Sequence, residues 1–256
     1  MKIDQHIHTE YSYDSKLKAL DLINKAIELK YDRIAITEHL DLFPWELSRF
    51  GLPSFSRYTQ RVAELKRQFA SSPLRIICGV EVGDWQRVKA FADDFLAELE
   101  FELKLGAVHF LSDHTNVAVP LKRALTAADH EDYYRQNLAL VSNCDLQVLA
   151  HLGVHKRYLD ARPDERHCLP VLTDIFQVMV ERGIALEVNF SSLRKPYGSI
   201  IPDLWQIELY RSLGGKCFSI GSDAHLLEHF DLNYDRLPAW LFGPGIEFPP
   251  VASPSG

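Results

Sequence analysis

The feature that most constrains this chain is an alternation. Seven short, largely apolar runs are separated by longer amphipathic segments. The runs are KIDQHIH at 2–8, RIAIT at 33–37, RIICGVEV at 75–82, LKLGAVHF at 103–110, LQVLAH at 146–151, ALEVNF at 185–190 and CFSIGSD at 217–223. Several are nearly continuous in Val, Ile and Leu, as strands buried on both faces are. Between them, LKALDLINKAIELK sets Leu17, Leu20, Ile23, Ile27 and Leu29 close to one helical face. LPVLTDIFQVMVERG does the same with Leu172, Ile175, Phe176 and Met179, and Gly183 is placed to stop that helix. Such alternation predicts parallel strands with helices outside them. A closed α/β barrel of about seven strands is the first expectation, with an open doubly wound sheet as the alternative. Residues 1–256 read as one domain, with a Pro/Gly/Ser-rich tail over about 243–256 expected to wrap the surface or fray.

The polar residues fall at the ends of the runs. His6 and His8 form an H-x-H at the end of the first run, and a strand directs residues two apart to the same face. His39 follows the second run, Glu81 ends the third, His109 the fourth and His151 the fifth. Asp223 and His225 close the seventh, and Asp14 lies in the first strand-to-helix connection. In a parallel α/β barrel the carboxyl ends of all strands meet on one rim, where active sites sit. Nine side chains of ligand type therefore converge there, more than one four-coordinate metal uses. They predict a cluster of two or three metals with a carboxylate such as Glu81 bridging. Taken singly, each has a plain structural role open to it: a polar contact for a histidine, a helix cap for Asp14, Glu81 or Asp223. The joint pattern carries the argument. His114, His130, His155, His167 and His229 lie in loops or helical patterns and are set aside.

Composition excludes several classes. No stretch approaches the roughly 18 uncharged apolar residues that a spanning helix needs, so no membrane partner is expected. The start, MKIDQHIHT, lacks a basic region followed by an apolar run. Cys78, Cys144, Cys168 and Cys217 are widely spaced and read as reduced, mostly buried thiols of a cytoplasmic protein. A formal net charge of −7 makes nucleic acid an unlikely partner. The oligomeric state is not legible.

The chain resembles the PHP (polymerase and histidinol phosphatase) superfamily, and within it the histidinol-phosphate phosphatase branch. The matching segments are HIHTEYSYDS at 6–15, ITEH at 36–39, GVE at 79–81, AVH at 107–109, AHLG at 150–153 and GSDAH at 221–225. The resemblance implies a distorted (β/α)7 barrel with a trinuclear site of zinc, iron or manganese at the C-terminal rim of the strands. Carried over, one metal takes His6, His8, Glu81 and Asp223; a second shares Glu81 and adds His109 and His151; a third takes Asp14, His39 and His225. Some members carry histidine where this chain has Asp14, a harder donor that favours manganese or iron. EVNFSSLRKPYG at 187–198 and HKRYL at 155–159 resemble the basic stretches of the histidinol-phosphatase branch.

The chemistry fits phosphate-ester hydrolysis. Metal brings the pKa of bound water from about 15.7 toward 7, and paired metals hold both the attacking and a non-bridging oxygen. Glu81, Asp223 and His225 are the expected catalytic residues. Arg157 and Arg194 follow the fifth and sixth runs on the same rim, and an Arg fork suits the dianion of a phosphate monoester. Lys195, if the loop is extended, points the opposite way. The expected reaction is hydrolysis of a small phosphate ester, first of all L-histidinol phosphate. The alternatives are another small ester, a PHP-type nuclease or oligonucleotide phosphatase, and a non-catalytic metal-binding domain. A metal-dependent amidohydrolase barrel also begins with H-x-H but would use a bridging lysine, where this chain offers Glu81.

Overall fold

A computed structural model of the chain describes residues 1–52 and 54–251. Seven strands, β1 (Ile3–Ile7), β2 (Arg33–Asp41), β3 (Arg75–Gly83), β4 (Leu103–Ala107), β5 (Val148–Leu149), β6 (Ala185–Asn189) and β7 (Phe218–Gly221), are all parallel and neighbour one another in chain order. Helices α1 (Ala19–Glu28), α2 (Pro44–Phe50), α3 (Phe55–Gln68), α4 (Lys89–Ala97), α5 (Ala127–Asn143), α6 (Leu169–Arg182) and α7 (Leu204–Ser212) fill the connections. Ile7 bridges Ala224 in parallel, and His6 O accepts from Asp223 N at 2.8 Å, so the ends of the sheet approach one another. The result is a nearly closed, distorted (β/α)7 barrel, the first of the two expected architectures.

Two layers fill the inside. Ala35, Ile77, Leu103, Leu105, Ala107, Val148, Ala150 and Ala185 form a separate apolar cluster, largely of small side chains. Because side chains alternate between faces, Thr37 and His39 follow Ala35 inward, Glu81 follows Ile77, and Glu187 and Asn189 follow Ala185. The register pairs His39 with Glu81 across β2 and β3. An apolar plug thus sits toward the amino ends and a polar layer toward the carboxyl ends.

The larger cluster packs helices on the outside of the sheet. On α6 the expected Leu172, Ile175, Phe176 and Met179 are buried, joined by Val171, and Gly183 caps the helix with φ 69°, a left-handed conformation glycine adopts without a Cβ clash. On α1 the buried face differs from the one expected. Ala19, Leu22, Ile23 and Ala26 face the sheet, while Leu20, Ile27 and Leu29 sit on its flank. Small alanines let this helix approach the sheet closely, and apolar size alone misplaces the stripe. Leu17 is buried ahead of the first turn.

β5 is only two residues long, shorter than its apolar run, whereas β2 continues past its run to Asp41. In the tail, Glu247 pairs with the approach to β7 through Phe218 N and Lys216 O. Ile246 and Phe248 pack on the outer core and Val251 against the apolar plug. The tail residues 252–256 lie outside the described residues. All four cysteines are free; Cys78, Cys144 and Cys168 are buried and Cys217 is partly so. Among the described residues no helix is long and apolar enough to cross a membrane.

Candidate active site

Six of the seven strand ends and the connection after β1 deliver the nine side chains to the same rim, where they gather in three groups. In the first, His6 Nε2 and His8 Nε2 are 3.0 Å apart, each lies 3.4 Å from Glu81 Oε2, and His8 Nε2 is 3.4 Å from Asp223 Oδ1. In the second, Glu81 Oε1 is 2.7 Å from His151 Nε2 and 3.6 Å from His109 Nε2. In the third, Asp14 lies 3.6 Å from His39 Nε2 and 3.2 Å from His225 Nε2, whose nitrogens are 3.4 Å apart. His39 also turns Nδ1 to Glu81 Oε2 at 2.9 Å, tying the third group to the first.

The histidine tautomers bear directly on what these groups hold. His6 donates from Nδ1 to Glu187 Oε1 at 2.8 Å. His8 turns Nδ1 to Ser12 Oγ at 3.3 Å, and Ser12 itself donates to Glu38. His225 turns Nδ1 to the Asp223 carbonyl at 3.0 Å. With Nδ1 carrying the proton, each Nε2 presents a lone pair to the group's centre. Lone pairs facing one another at these distances require a proton or a metal between them. Glu81 Oε2, His39 Nδ1 and His151 Nδ1 are also buried without a satisfying hydrogen bond. Imidazole and carboxylate donors in this mixture suit a divalent transition metal.

The electrostatics agree. Burial alone would raise the Glu81 carboxyl, but the facing His6 and His39 rings and the hydrogen bonds from His109 and His151 hold it well below its usual range. Burial opposes the charge on His109, yet the Glu81 carboxylate lifts it to about 9. Burial, with the His39 and His225 rings, pushes His8 down. The donor set is a cage whose charges are balanced against one another and, at its edges, against Glu187 and Arg157.

Local backbone geometry is strained where the donors sit. His151 has φ 28° and Asp223 φ 50°, left-handed values that non-glycine residues adopt at a cost of about 1–3 kcal/mol. Both are held by hydrogen bonds: His151 N donates to Glu187 Oε2 at 2.5 Å, and Asp223 N to the His6 carbonyl. Beside them, Gly221 has no room for a side chain, since a Cβ would overlap the Glu187 carboxylate and lie 2.6 Å from His6 Cβ.

Seven of the nine donors, all but His6 and His8, line a cavity of about 460 Å³ that Arg157, Arg194, Lys195, Tyr158 and Glu46 also border. Arg157 Nη2 donates to Asp223 Oδ2 at 2.5 Å. Arg194 is anchored through Nη1 to Ser222 O and Nη2 to Asp223 O, both at 2.8 Å. The Nε–H of each arginine is buried and unpartnered. Burial, with Arg157 beside it, lowers Arg194 to about 10, which leaves it cationic at neutral pH. Lys195 borders the same cavity, contrary to the extended-loop expectation, because Ser191–Arg194 form a tight 3-10 turn.

Of the five histidines set aside, His229 borders the cavity. His155 is instead bonded to Glu165 at 2.5 Å, in a buried network that also holds Lys156 against Asp203 and Gln206. Glu187 was missed in sequence. Its one signal was a carboxylate inside an apolar run, ALEVNF, with nothing to name its partners.

The chain is 28% identical over 230 residues to a probable histidinol-phosphatase of Thermotoga maritima, covering 89% of this chain and 85% of the relative. It is 25% identical over 238 residues to a histidinol-phosphatase of Lactococcus lactis subsp. lactis, covering 88% and 84%. The crystal structure of histidinol phosphate phosphatase from Lactococcus lactis subsp. lactis, complexed with zinc, L-histidinol and phosphate, superposes with a TM-score of 0.76 at 24% identity, over 88% of this chain and 86% of that one. A putative histidinol phosphatase from Listeria monocytogenes gives 0.78 at 21% identity, over 93% and 100%. The family described as PHP domain matches residues 4–191, nearly three quarters of the sequence, and the chain belongs to that family.

Proposed function

We propose that this chain is a metal-dependent phosphomonoesterase that hydrolyses L-histidinol phosphate to L-histidinol and phosphate. The observation that carries the reading is the joining of three donor groups around one cavity that two arginines also border. His6, His8, Glu81 and Asp223 would hold one divalent metal, Glu81, His109 and His151 a second, and Asp14, His39 and His225 a third, with zinc, iron or manganese as candidates. When bound, the metals lower the pKa of water and offset negative charge on the phosphoryl group.

The chain's own residues do the rest. Arg157 and Arg194 both border the cavity and bring their positive charge to it, placed to attract phosphoryl oxygens. Their guanidinium groups stabilise charge as the water oxygen adds to phosphorus and the P–O ester bond breaks. The leaving alkoxide takes a proton and departs as the alcohol. Glu81 is common to the first two donor groups and would bridge metals held there, and Asp223 is shared between the donor cage and Arg157, so phosphate orientation and cage geometry are coupled.

The relatives named as histidinol-phosphatases support the choice of ester. Phosphate release from L-histidinol phosphate, measured beside sugar phosphates, nucleotides and a short oligonucleotide, tests it. A preference of at least tenfold in kcat/KM for L-histidinol phosphate is expected. Faster cleavage of the oligonucleotide would replace this reading with a nuclease.

A further inference from the structure

We propose that Glu46 recognises a protonated nitrogen on the leaving alcohol and so selects cationic phosphate esters from neutral ones. This rests on the phosphomonoesterase reading of the same cavity. Glu46 lies on α2, is 8% exposed, and borders the cavity together with the donor residues. Among the described residues it has no lysine or arginine partner. The charged groups acting on it are Asp41 and Asp84, which disfavour its charge, and His109, which favours it. It is a buried carboxylate on the cavity for which the described residues supply no lysine or arginine; His109, the one group that favours its charge, also faces Glu81.

Its position in the barrel is informative. Arg157 follows β5, and Arg194 and Lys195 follow β6. In a ring of seven strands in chain order, β2 is three steps from β5 and three from β6 the other way round, the greatest separation available. Arg157, Arg194 and Lys195 thus concentrate positive charge on the side opposite Glu46, with the donor cage between; Lys16, after β1, also borders the cavity. A ligand that carries phosphate at one end and a cationic nitrogen at the other matches both signs at once. A neutral ester leaves Glu46 buried and unmatched, which costs it affinity.

The test is kcat/KM for wild type and Glu46→Gln on four esters: L-histidinol phosphate, 2-amino-3-phenylpropyl phosphate, 3-(imidazol-4-yl)propyl phosphate and 3-phenylpropyl phosphate, whose leaving alcohol carries no charge. The ratio of L-histidinol phosphate to 3-phenylpropyl phosphate should fall roughly ten- to a hundred-fold in Glu46→Gln, the range for one charge-assisted hydrogen bond. The amine-only and imidazole-only esters show which nitrogen Glu46 takes. Calorimetric binding of L-histidinol alone, which needs no turnover, should weaken by the same factor. An unchanged ratio overturns the proposal. So does an equal loss on charged and uncharged esters, which would make Glu46 a proton donor to the leaving oxygen or a structural residue. If wild type hydrolyses none of the esters, the phosphatase reading fails, and L-histidinol binding alone decides for or against Glu46.

Discussion

Glu187 accepts a hydrogen bond from His6 Nδ1 at 2.8 Å, joining the sixth strand to the first across the interior of the barrel. Its other oxygen accepts from the backbone N–H of His151, whose left-handed φ it helps to hold. One buried carboxylate therefore orients two members of different donor groups, and Gly221 leaves it the room to do so.

Glu187→Gln should weaken metal binding and activity together, by about ten- to a hundred-fold, as loss of a ligand-orienting partner does. The amide keeps the size but offers the two N–H donors only one acceptor. Metal titration into chelator-treated protein, followed by kcat/KM, checks this. Unchanged metal affinity would mean that His6 is fixed by its neighbours alone.

Glu81→Gln should lose activity more completely than it loses fold. Glu81 lies within 3.6 Å of His6, His8, His39, His109 and His151, and one amide oxygen cannot serve both sides. The expected outcome is a reduced metal stoichiometry, a fall in kcat of at least a hundred-fold, and a thermal transition close to wild type. Near-normal turnover with full metal content would remove Glu81 from the bridging position.

What could be read from the sequence, and what could not, divides along a physical line. The barrel and the nine rim residues were legible because strand ends carry them: His8, His39, Glu81 and His109 follow or end apolar runs, and parallel strands share one direction. Relationships that depend on closure were not legible. Nothing in ALEVNF tells that Glu187 meets His6, 181 residues earlier, and nothing in HKRYL tells that Lys156 is buried against Glu165, Asp203 and Gln206. Lys195 was misplaced because a 3-10 turn and an extended loop leave the same short, polar signature. The α1 stripe was misplaced because the contact uses Ala19 and Ala26, which a search for large apolar residues passes over.

The Glu165 network gives a pH signature separate from the active site. Burial would raise the Glu165 carboxyl, but His155, Lys156 and the Tyr134 hydroxyl hold it well below its unfolded value of 4.5. A depressed acid binds fewer protons when folded, so its contribution is full above pH 4.5 and is lost as pH falls toward the folded value. Wild type should therefore exceed Glu165→Gln in stability at pH 7, and the gap should narrow steadily below pH 4.5. Urea unfolding across pH 3 to 7 measures it, and a gap independent of pH would show that Glu165 acts by packing alone.

Arg194 makes the sharpest claim about substrate. Its two Nη groups are spent on the Ser222 and Asp223 carbonyls, so it both braces the β7 donor loop and brings its positive charge to the edge of the cavity. If the phosphate clamp dominates, Arg194→Ala should cost about 2–4 kcal/mol on a monoester, the loss expected for one partner of a buried charged pair. That is roughly a thirty-fold to nearly thousand-fold fall in kcat/KM. A diester such as bis-p-nitrophenyl phosphate presents less charge and should suffer much less. If bracing dominates, the Asp223 loop loosens, metal content drops, and both ester classes fall together. Metal analysis and the two substrates, run on the same preparation, separate these outcomes. An equal loss on monoester and diester with metal depleted would assign Arg194 to the loop and leave Arg157 as the phosphate contact.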